Sequence, residues 1–209
     1  MPNGADPAAV PYTPPAQRAL LRRALGAAAG DRLAVFVGSW HEPNIVALRE
    51  LIHLAPQLDG WRVLVLGSCG LAVAGEPMPA AIDICGVVDQ RFLRATLAIA
   101  DAALNPMRLG SGTNLKMLDY ALAGVPLVST RFGARGLGLS AGEHYAECEP
   151  DDLGAALAGL AATDPAAIEA RVVAARTHVV EHFSWDRIAG DWLATPALTG
   201  LLEPLRVGA

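Results

Sequence analysis

The sequence predicts an α/β fold: a single domain with a parallel sheet of about six strands, covered by helices on both faces, and a helical C-terminus. Short apolar runs alternate with segments of helical periodicity along most of the chain. The runs are apolar throughout, which is typical of strands buried on both faces of a parallel sheet. A chain of 209 residues, 53% of them hydrophobic, is long enough to bury one such core.

Each predicted strand is a short apolar run bounded by turn-forming or polar residues. The six runs begin at residues 33, 62, 81, 101, 126 and 144 and read LAVFV, RVLVL, AIDIC, DAALN, PLVST and HYAEC. Gly38 and Gly67 follow the first two runs directly. In open α/β sheets ligands gather at the carboxyl ends of the strands, so these glycines mark a candidate binding edge.

Beyond Glu149 the chain is predicted to be helical in three segments, DDLGAALAGLAA, PAAIEARVVAARTHVVEHF and SWDRIAGDWL. Ser184 is the expected N-cap of the last helix, because its hydroxyl can accept a hydrogen bond from the first turn. The spacing of Trp185, Ile188 and Trp192 places them on one face of that helix.

The two ends of the chain differ from this pattern. Residues 1–16 include Pro2, Pro7, Pro11, Pro14 and Pro15, and this composition predicts a linker-like, extended segment. Residues 17–195 form the predicted domain with its C-terminal helices. Residues 196–209 are interrupted by Pro196, Gly200 and Pro204, and are predicted to be a loose tail.

Residues 105–137, NPMRLGSGTNLKMLDYALAGVPLVSTRFGARGL, carry the strongest functional signal. They predict a strand end, a glycine-bearing loop, an amphipathic helix, a glycine stop and a second buried strand. Gly110 and Gly112 leave backbone N–H groups uncovered where the helix begins, and a helix N-terminus carries partial positive charge. Arg108 and Lys116 add two cations to that positive end. An anion, and above all a phosphate, would complete such a site.

The predicted helix of this segment has two distinct faces. Leu115, Leu118 and Leu122 form an apolar stripe for the sheet, whereas Lys116 and Asp119 fall on a neighbouring face. A cation for phosphates beside a carboxylate for ribose hydroxyls is the combination that a nucleotide needs. The alternative is a surface ion pair between Lys116 and Asp119, worth about 0.2–0.5 kcal/mol. That alternative leaves both glycines and the upstream arginine unexplained.

The same segment resembles the signature region of the group 1 (family 4-like) glycosyltransferases, in the C-terminal nucleotide-sugar-binding domain of their GT-B fold. Three other segments are similar to that domain in the same order. LAVFVGSWHEPNIVALRELI resembles its opening strand, loop and helix, ICGVVDQRFL its strand and turn beside the base, and HFSWDRIAGDWL its closing helix. The resemblance spans most of the chain and implies a Rossmann-like domain, one half of a GT-B fold.

The resemblance also implies roles for individual residues. Arg108 and Lys116 would supply the catalytic charge at the diphosphate, Asp119 would bind the ribose, and Val88 would hold the base through its backbone. The loops after the first and fourth strands would face the donor sugar and its phosphates. The implied donor-binding set is Gly38, Ser39, His41, Asn44, Val88, Gly110, Ser111, Gly112, Thr113, Asn114 and Asp119.

The activity implied by the resemblance is retaining, hexosyl-type transfer from a UDP- or GDP-type nucleotide sugar, which is a substrate rather than a cofactor. Stabilisation of the leaving diphosphate would carry catalysis. No Asp-x-Asp pair marks a metal site. Members of the family often have two glutamates separated by seven residues, and here Ser111 and Asp119 stand at those positions. The basic pair that many members carry near the first two strands is not apparent.

The resemblance covers only one of the two domains of a GT-B enzyme. The opening MPNGAD resembles the linker that follows the acceptor-binding N-terminal domain in this family. We therefore expect a truncated or split enzyme that is inactive without that domain or a partner chain, and that tends to self-associate. The alternatives are a free-standing domain, a non-catalytic nucleotide- or partner-binding module, and a sugar-nucleotide epimerase-like domain.

Composition narrows the class of partner and the compartment. A net charge of −5 without a basic run argues against nucleic acid. No apolar stretch reaches the length of a membrane span and the proline-rich start is not a signal peptide, so we expect a cytoplasmic protein. Cys69, Cys85 and Cys148 form no CxxC pattern and are expected to be reduced, mostly buried thiols.

Two further motifs suggest other chemistry. Residues 138–142, GLSAG, fit the G-x-S-x-G nucleophile elbow, but no strand is predicted directly before the serine. His178 and His182 in HVVEH fit a zinc-binding helix, although no third ligand is apparent. We expect neither site. His41 lies in a strand-end loop and is either a contact to the sugar or phosphates or a polar surface group.

Overall fold

A computed structural model describes residues 3–28 and 30–195. At its centre lies one sheet of six parallel strands in the order β3-β2-β1-β4-β5-β6. The strands are β1 Arg32–Val37, β2 Trp61–Leu66, β3 Ile82–Gly86, β4 Ala102–Asn105, β5 Leu127–Ser129 and β6 Ala146–Glu147. Each apolar run of the sequence contributes a strand, which confirms the predicted parallel sheet.

Helices cover both faces of this sheet. Those in the described residues are α1 Pro15–Ala24, α2 Glu42–Leu54, α3 Gln90–Ile99, α4 Lys116–Ala123, α5 Arg131–Ala134, α6 Leu153–Ala162, α7 Pro165–Phe183 and α8 Trp185–Leu193. The last three confirm the helical C-terminus. The Ser184 hydroxyl accepts a hydrogen bond from the Arg187 N–H, so Ser184 caps α8 as predicted. None of the described helices is long and apolar enough to cross a bilayer.

Two apolar clusters, one on each face of the sheet, form the core. Alternate residues of β1 point to opposite faces, so Ala34 and Phe36 join one cluster and Val35 joins the other. Side chains from α2 and α6 complete the first cluster, including Leu48 and Leu157. Side chains from α3, α4 and α7 complete the second. The core therefore fixes α2 and α4 on opposite faces, one on either side of β1.

The strand order reverses between β1 and β4. From β1 the chain builds outward to β2 and β3, and it then returns to place β4 on the other side of β1. The loops that leave the carboxyl ends of β1 and β4 therefore run in opposite directions and leave a crevice between them. This crevice is the edge that Gly38 and the glycines of residues 105–137 marked in the sequence.

Two glycines follow the carboxyl ends of β1 and β2 directly. The Gly38 N–H donates to the Leu66 carbonyl at 2.9 Å, and the Cys69 N–H donates to the Gly38 carbonyl at 3.1 Å. A Cβ on Gly38 would lie 2.8 Å from the Cys69 sulfur, so a side chain at residue 38 would not fit. Gly67 has a φ of +106°, a conformation that favours glycine.

The N-terminal segment lies against the domain. The Ala5 N–H donates to the Phe183 carbonyl at 2.8 Å, and the Arg176 guanidinium lies 5.0 Å from the centroid of the Tyr12 ring. Helix α1 begins at Pro15, inside the segment predicted as linker-like. The predicted loose tail, residues 196–209, lies outside the described residues.

Two local features differ from the sequence expectation. Helix α4 begins at Lys116. Its residues Leu118 and Leu122 are buried, whereas Leu115 precedes the helix and is 43% exposed. On α8, Ile188 is buried beside Gly4, while the tryptophans at residues 185 and 192 stay about half exposed.

The three cysteines are free thiols, and two of them are buried, as predicted.

Candidate functional site

A cleft of about 320 Å³ opens at the carboxyl ends of β1 and β4. Its walls are the loop between β1 and α2 and the loop between β4 and α4. Most of the donor-binding residues implied by the sequence line it, as does one of the two cations. The lining includes Gly38, Ser39, His41, Asn44, Gly110, Ser111, Gly112, Thr113, Asn114 and Lys116. None of the described residues that line this cleft is a carboxylate.

Lys116 is the only lysine in the chain and the first residue of α4. Its Nζ donates to Asn44 Oδ1 at 2.8 Å and lies 4.3 Å from the centroid of the Phe36 ring. Among residues 3–28 and 30–195, no carboxylate forms an ion pair with it. Burial lowers the pKa of Lys116 to about 7. A desolvated cation without a counter-charge is a strong site for an anion, because the anion supplies the missing partner.

Asn44 sets the direction of the Lys116 side chain. It is buried on the first turn of α2, and its Nδ2 donates to the Ser39 carbonyl at 3.2 Å and to Ser39 Oγ at 3.3 Å. These bonds leave Asn44 Oδ1 turned toward the lysine. The loop after β1 and the start of α4 are therefore connected through one buried amide.

The loop before α4 presents unpaired donors. Within the described chain, the N–H groups of Ser111, Gly112 and Thr113 donate to no acceptor. Leu115 stands at the N-cap of α4 and provides no side-chain cap, while the N–H groups of Met117 and Leu118 donate to the Asn114 and Leu115 carbonyls. A Cβ on Gly112 would meet no atom within 4 Å, so the space beside this residue is empty. Free donors, a positive helix end and open space together form an anion-binding site.

Arg135 lines the same cleft, and the sequence reasoning did not assign it to the site. It follows α5, and its Nη2 donates to the carbonyls of Gly110 and Gly112, at 2.7 Å each. A signal was available, because this arginine lies a few residues beyond the carboxyl end of β5. The sequence alone does not predict that the Arg135 side chain turns back toward the loop after β4.

Arg108, the other cation expected at the diphosphate, does not line the cleft. Its Nε lies 2.6 Å from Glu50 Oε1, and its Nη2 pairs with Asp151. These two carboxylates come from α2 and from the turn before α6, and they hold a guanidinium that is not part of the cleft lining. In this structure Lys116 and Arg135, rather than Lys116 and Arg108, are the cations of the cleft.

Asp119 and Val88, the residues expected at the ribose and the base, also lie outside the cleft lining. Asp119 is half-buried on α4, and burial raises the pKa of its carboxyl group. No donor among the described residues bonds to this carboxylate, so its acceptors are free. Val88 follows β3 and is partly buried against the second core cluster.

The two other sequence motifs do not form active sites. Ser140 lies in a loop rather than directly after a strand, and its N–H donates to His144 Nδ1 at 2.8 Å. His178 Nε2 bonds to the Leu137 carbonyl at 2.7 Å, and His182 Nδ1 bonds to the carbonyl of His178 at 2.9 Å. No group of metal-ligating side chains occurs in the part of the chain that the structure describes.

Comparison with known proteins identifies the family. The model of the family described as Glycosyl transferases group 1 matches residues 31–163. A glycogen synthase from Mycobacterium tuberculosis (strain CDC 1551 / Oshkosh) is 36% identical over 110 residues, which make up 50% of this chain and 25% of that protein.

Solved structures show the same fold at lower identity. A sucrose-phosphate synthase from Thermosynechococcus elongatus matches with a TM-score of 0.72 and 18% identity, over 100% of this chain and 53% of that one. The C-terminal domain of a group 1 family glycosyl transferase (LpcC) from Francisella tularensis matches with a TM-score of 0.63 and 13% identity, over 87% of this chain and 100% of that one. Anabaena Alr3699/HepE, solved in complex with UDP-glucose, matches with a TM-score of 0.69 and 15% identity, over 92% of this chain and 56% of that one. With a family model matching residues 31–163 and the Rossmann-like half of a GT-B fold around its cleft, this chain belongs to the group 1 glycosyltransferases.

Proposed function

We propose that this chain is the donor-binding half of a retaining, hexosyl-type glycosyltransferase, and that its cleft binds the diphosphate of a nucleotide sugar. The main support for this proposal is the state of Lys116. Its amine is desolvated, has no ion-pair partner among the described residues, and lies beside N–H groups that have no acceptor there. Burial of the Lys116 amine costs free energy while the cleft is empty, and a diphosphate would pair with that amine and accept hydrogen bonds from the N–H groups at the same time.

The electrostatics of the cleft favour an anion over other ligands. Its charged side chains are Lys116 and Arg135, and no carboxylate among the described lining residues opposes a phosphate. As the bond to the sugar breaks, negative charge grows on the departing diphosphate. Donors already aimed at that position would stabilise the charge without reorganisation, which is the main source of rate in such a scheme.

The nucleoside end of the donor would lie beyond the cleft, toward β3. Asp119 is half-buried on α4, its carboxylate accepts no hydrogen bond from the described residues, and it would bind the ribose hydroxyls. Val88, at the end of β3, would hold the base through its backbone. Because backbone contacts at the base discriminate weakly, both UDP- and GDP-type donors are candidates.

Transfer would need a second domain. The chain spans about half the length of the GT-B structure from Thermosynechococcus, and its 110 matched residues cover a quarter of the curated glycogen synthase. The half described here supplies anion donors but no group placed to activate an acceptor hydroxyl. We propose that an acceptor-binding domain or partner chain faces the cleft, and that donor binding occurs without it.

One observation favours a second candidate, a non-catalytic nucleotide-binding module. Ser111 stands where many family members carry a glutamate, and a hydroxyl cannot do the work of a carboxylate at the sugar. The two candidates share the donor site and differ in turnover. A chain that binds a nucleotide sugar but never transfers it, even with an acceptor domain present, would be such a module.

Calorimetry tests the proposed site. The purified chain is titrated with UDP, GDP, uridine and guanosine, and one diphosphate should bind far more tightly than its nucleoside. Lys116→Ala should weaken that diphosphate by about 1.5–3 kcal/mol, as expected for a charge-assisted hydrogen bond, and leave the nucleoside unchanged. Gly159→Ala, on the exposed side of α6, is the control. Equal losses for diphosphate and nucleoside, or no diphosphate binding by the wild-type chain, would refute the assignment.

A further inference from the structure

Arg135 makes contacts that go beyond lending charge to the cleft. Its Nη2 donates to the Gly110 and Gly112 carbonyls at 2.7 Å each, and its Nη1 donates to the Phe132 carbonyl at 2.7 Å. The guanidinium carbon lies 3.8 Å from the centroid of the Phe132 ring. One side chain is thus anchored to the end of α5 and holds two carbonyls of the loop before α4.

These carbonyl contacts determine where the neighbouring N–H groups point. In a trans peptide the carbonyl of one residue and the N–H of the next point in opposite directions. Because the Gly110 and Gly112 carbonyls point to the guanidinium, the N–H groups of Ser111 and Thr113 point away from it. Those two N–H groups are among the donors without an acceptor in the described chain.

Without this clamp the loop has little to hold its shape. Gly110 has a φ of +126°, which glycine adopts readily but does not enforce, and a Cβ on Gly112 would meet no atom within 4 Å. A second tie comes from Asn114, whose Nδ2 donates to the Gly133 carbonyl at 2.8 Å. Between Gly110 and Thr113, however, Arg135 supplies the only hydrogen bonds to the loop among the described residues.

We propose that Arg135 is a positioning residue for the donor site: it holds the Gly110–Gly112 loop so that the N–H groups of Ser111 and Thr113 face the diphosphate. This inference rests on the proposed function. It gives Arg135 a role that depends on the planar, forked guanidinium, since one ammonium group cannot span the same carbonyls with the same geometry. The phosphate is bound by the backbone that Arg135 orients and by Lys116.

The test uses three variants of the full chain and the nucleoside diphosphate that binds the wild type. Arg135→Gln removes the clamp and its charge, whereas Arg135→Lys removes the fork and keeps the charge. Arg131→Gln removes a charge from the exposed start of α5 and is the matched control. We expect both Arg135 variants to lose about tenfold or more in diphosphate affinity, with nucleoside affinity unchanged, and the control to lose less than about twofold.

Two further readouts separate positioning from direct contact. In ¹H–¹⁵N spectra of the ligand-free chain, the amide signals of Ser111 and Thr113 should move in both Arg135 variants and stay in place in the control. Methylguanidinium should restore part of the affinity of Arg135→Gln. If Arg135→Lys binds the diphosphate like the wild type, or if the two amide signals do not move, the positioning role is wrong. A wild-type chain that binds no diphosphate refutes the proposed function instead.

Discussion

Lys116 is held in the cleft at a cost to the ligand-free fold. The fold lowers its pKa to about 7, well below the value of a lysine in water, so it disfavours the charged form of the side chain. The amide of Asn44 and the ring of Phe36 compensate only in part. A residue that weakens the empty protein is understandable if it serves the bound state.

Lys116→Met should therefore stabilise the chain without ligand. The folded-state pKa lies below the unfolded one, so the charge penalty is full below about pH 7 and fades as the pH rises toward 10. We expect a gain of about 1 kcal/mol or more in the free energy of unfolding at pH 7, and a smaller gain near pH 10. Urea unfolding at both pH values measures this. If Lys116→Met instead lowers the free energy of unfolding by the same amount at pH 7 and pH 10, the buried charge of Lys116 does not destabilise the ligand-free chain.

Substitutions of Asp119 test whether its carboxylate binds the ribose hydroxyls of the nucleotide. Asp119→Asn keeps an acceptor oxygen, whereas Asp119→Leu removes both, so leucine should cost about 1–3 kcal/mol of nucleotide affinity and asparagine less. A 2′,3′-dideoxy nucleotide should respond to neither substitution. Calorimetry with the two nucleotides decides the matter: if ribonucleotide binding barely changes in Asp119→Leu, the carboxylate does not hold the ribose.

At the scale of elements, three histidines join the loop after α5 to helix α7. His144 Nδ1 accepts the Ser140 N–H, and its ring lies 5.1 Å from that of His178, which stacks at 4.5 Å on His182. Burial lowers the pKa of His144, the Glu143 carboxylate opposes that shift, and the neighbouring His178 adds to it. Protonation at Nδ1 would break the bond to Ser140.

Acid should therefore loosen this junction. Because the folded-state pKa of His144 is lower than the unfolded one, its contribution to stability is present above about pH 6.5 and is lost as the pH falls below it. His144→Asn keeps an acceptor near the Ser140 N–H and does not titrate, so it should reduce the stability difference between pH 7.5 and 5.5. His53→Asn, at an exposed position of α2, is the control for urea unfolding. Identical acid sensitivity in wild type and His144→Asn would contradict the prediction.

Elements were easier to predict than contacts. The six apolar runs located the strands because a parallel sheet covered on both faces favours mainly apolar strands without strict alternation of polar and apolar residues. Gly124 ends α4 with a φ of +76°, as its place after the apolar stripe indicated. The start of α4 was less well defined by periodicity, so Leu115 was placed on the buried stripe although it precedes the helix.

In the candidate site, too, the positions of the loops were easier to predict than the contacts of individual side chains. Residues of the two loops were predictable because strand order brings the ends of β1 and β4 together. Arg108 was expected in the cleft, but Glu50 and Asp151, which hold it elsewhere, lie far from it in sequence. Arg135 was not predicted for the same reason. The direction of a long cationic side chain depends on tertiary partners that no local pattern reveals.

The fold of the whole molecule matches about half the length of the GT-B structure from Thermosynechococcus. Its anion donors face outward at the carboxyl edge of the sheet, where the acceptor domain of a GT-B enzyme would close over them. Proximity of two bound substrates contributes several kcal/mol to barrier lowering, so a chain without an acceptor site loses orders of magnitude in rate, about 10⁵-fold or more.

The chain alone should bind the nucleotide sugar and transfer no sugar. The assay offers the purified chain UDP- and GDP-sugars with a panel of acceptors, with and without a candidate acceptor-binding domain. Trp185 and Trp192 are 44% and 53% exposed on α8, so we also expect self-association that the added domain reduces. Robust transfer to one specific acceptor by the chain alone would show that the need for a second domain is wrong.

The most direct test of the central claim is the pKa of Lys116, measured with and without nucleotide. Because the chain has a single lysine, growth on ¹³C-lysine labels that side chain alone, and its Cε signal reports the titration. We predict a midpoint of about 7 in the free chain. With the bound diphosphate the midpoint should rise by about one pH unit or more, and with the nucleoside it should not move. A midpoint that stays the same while the diphosphate is bound would contradict the claim that this cleft binds the phosphates of a nucleotide sugar.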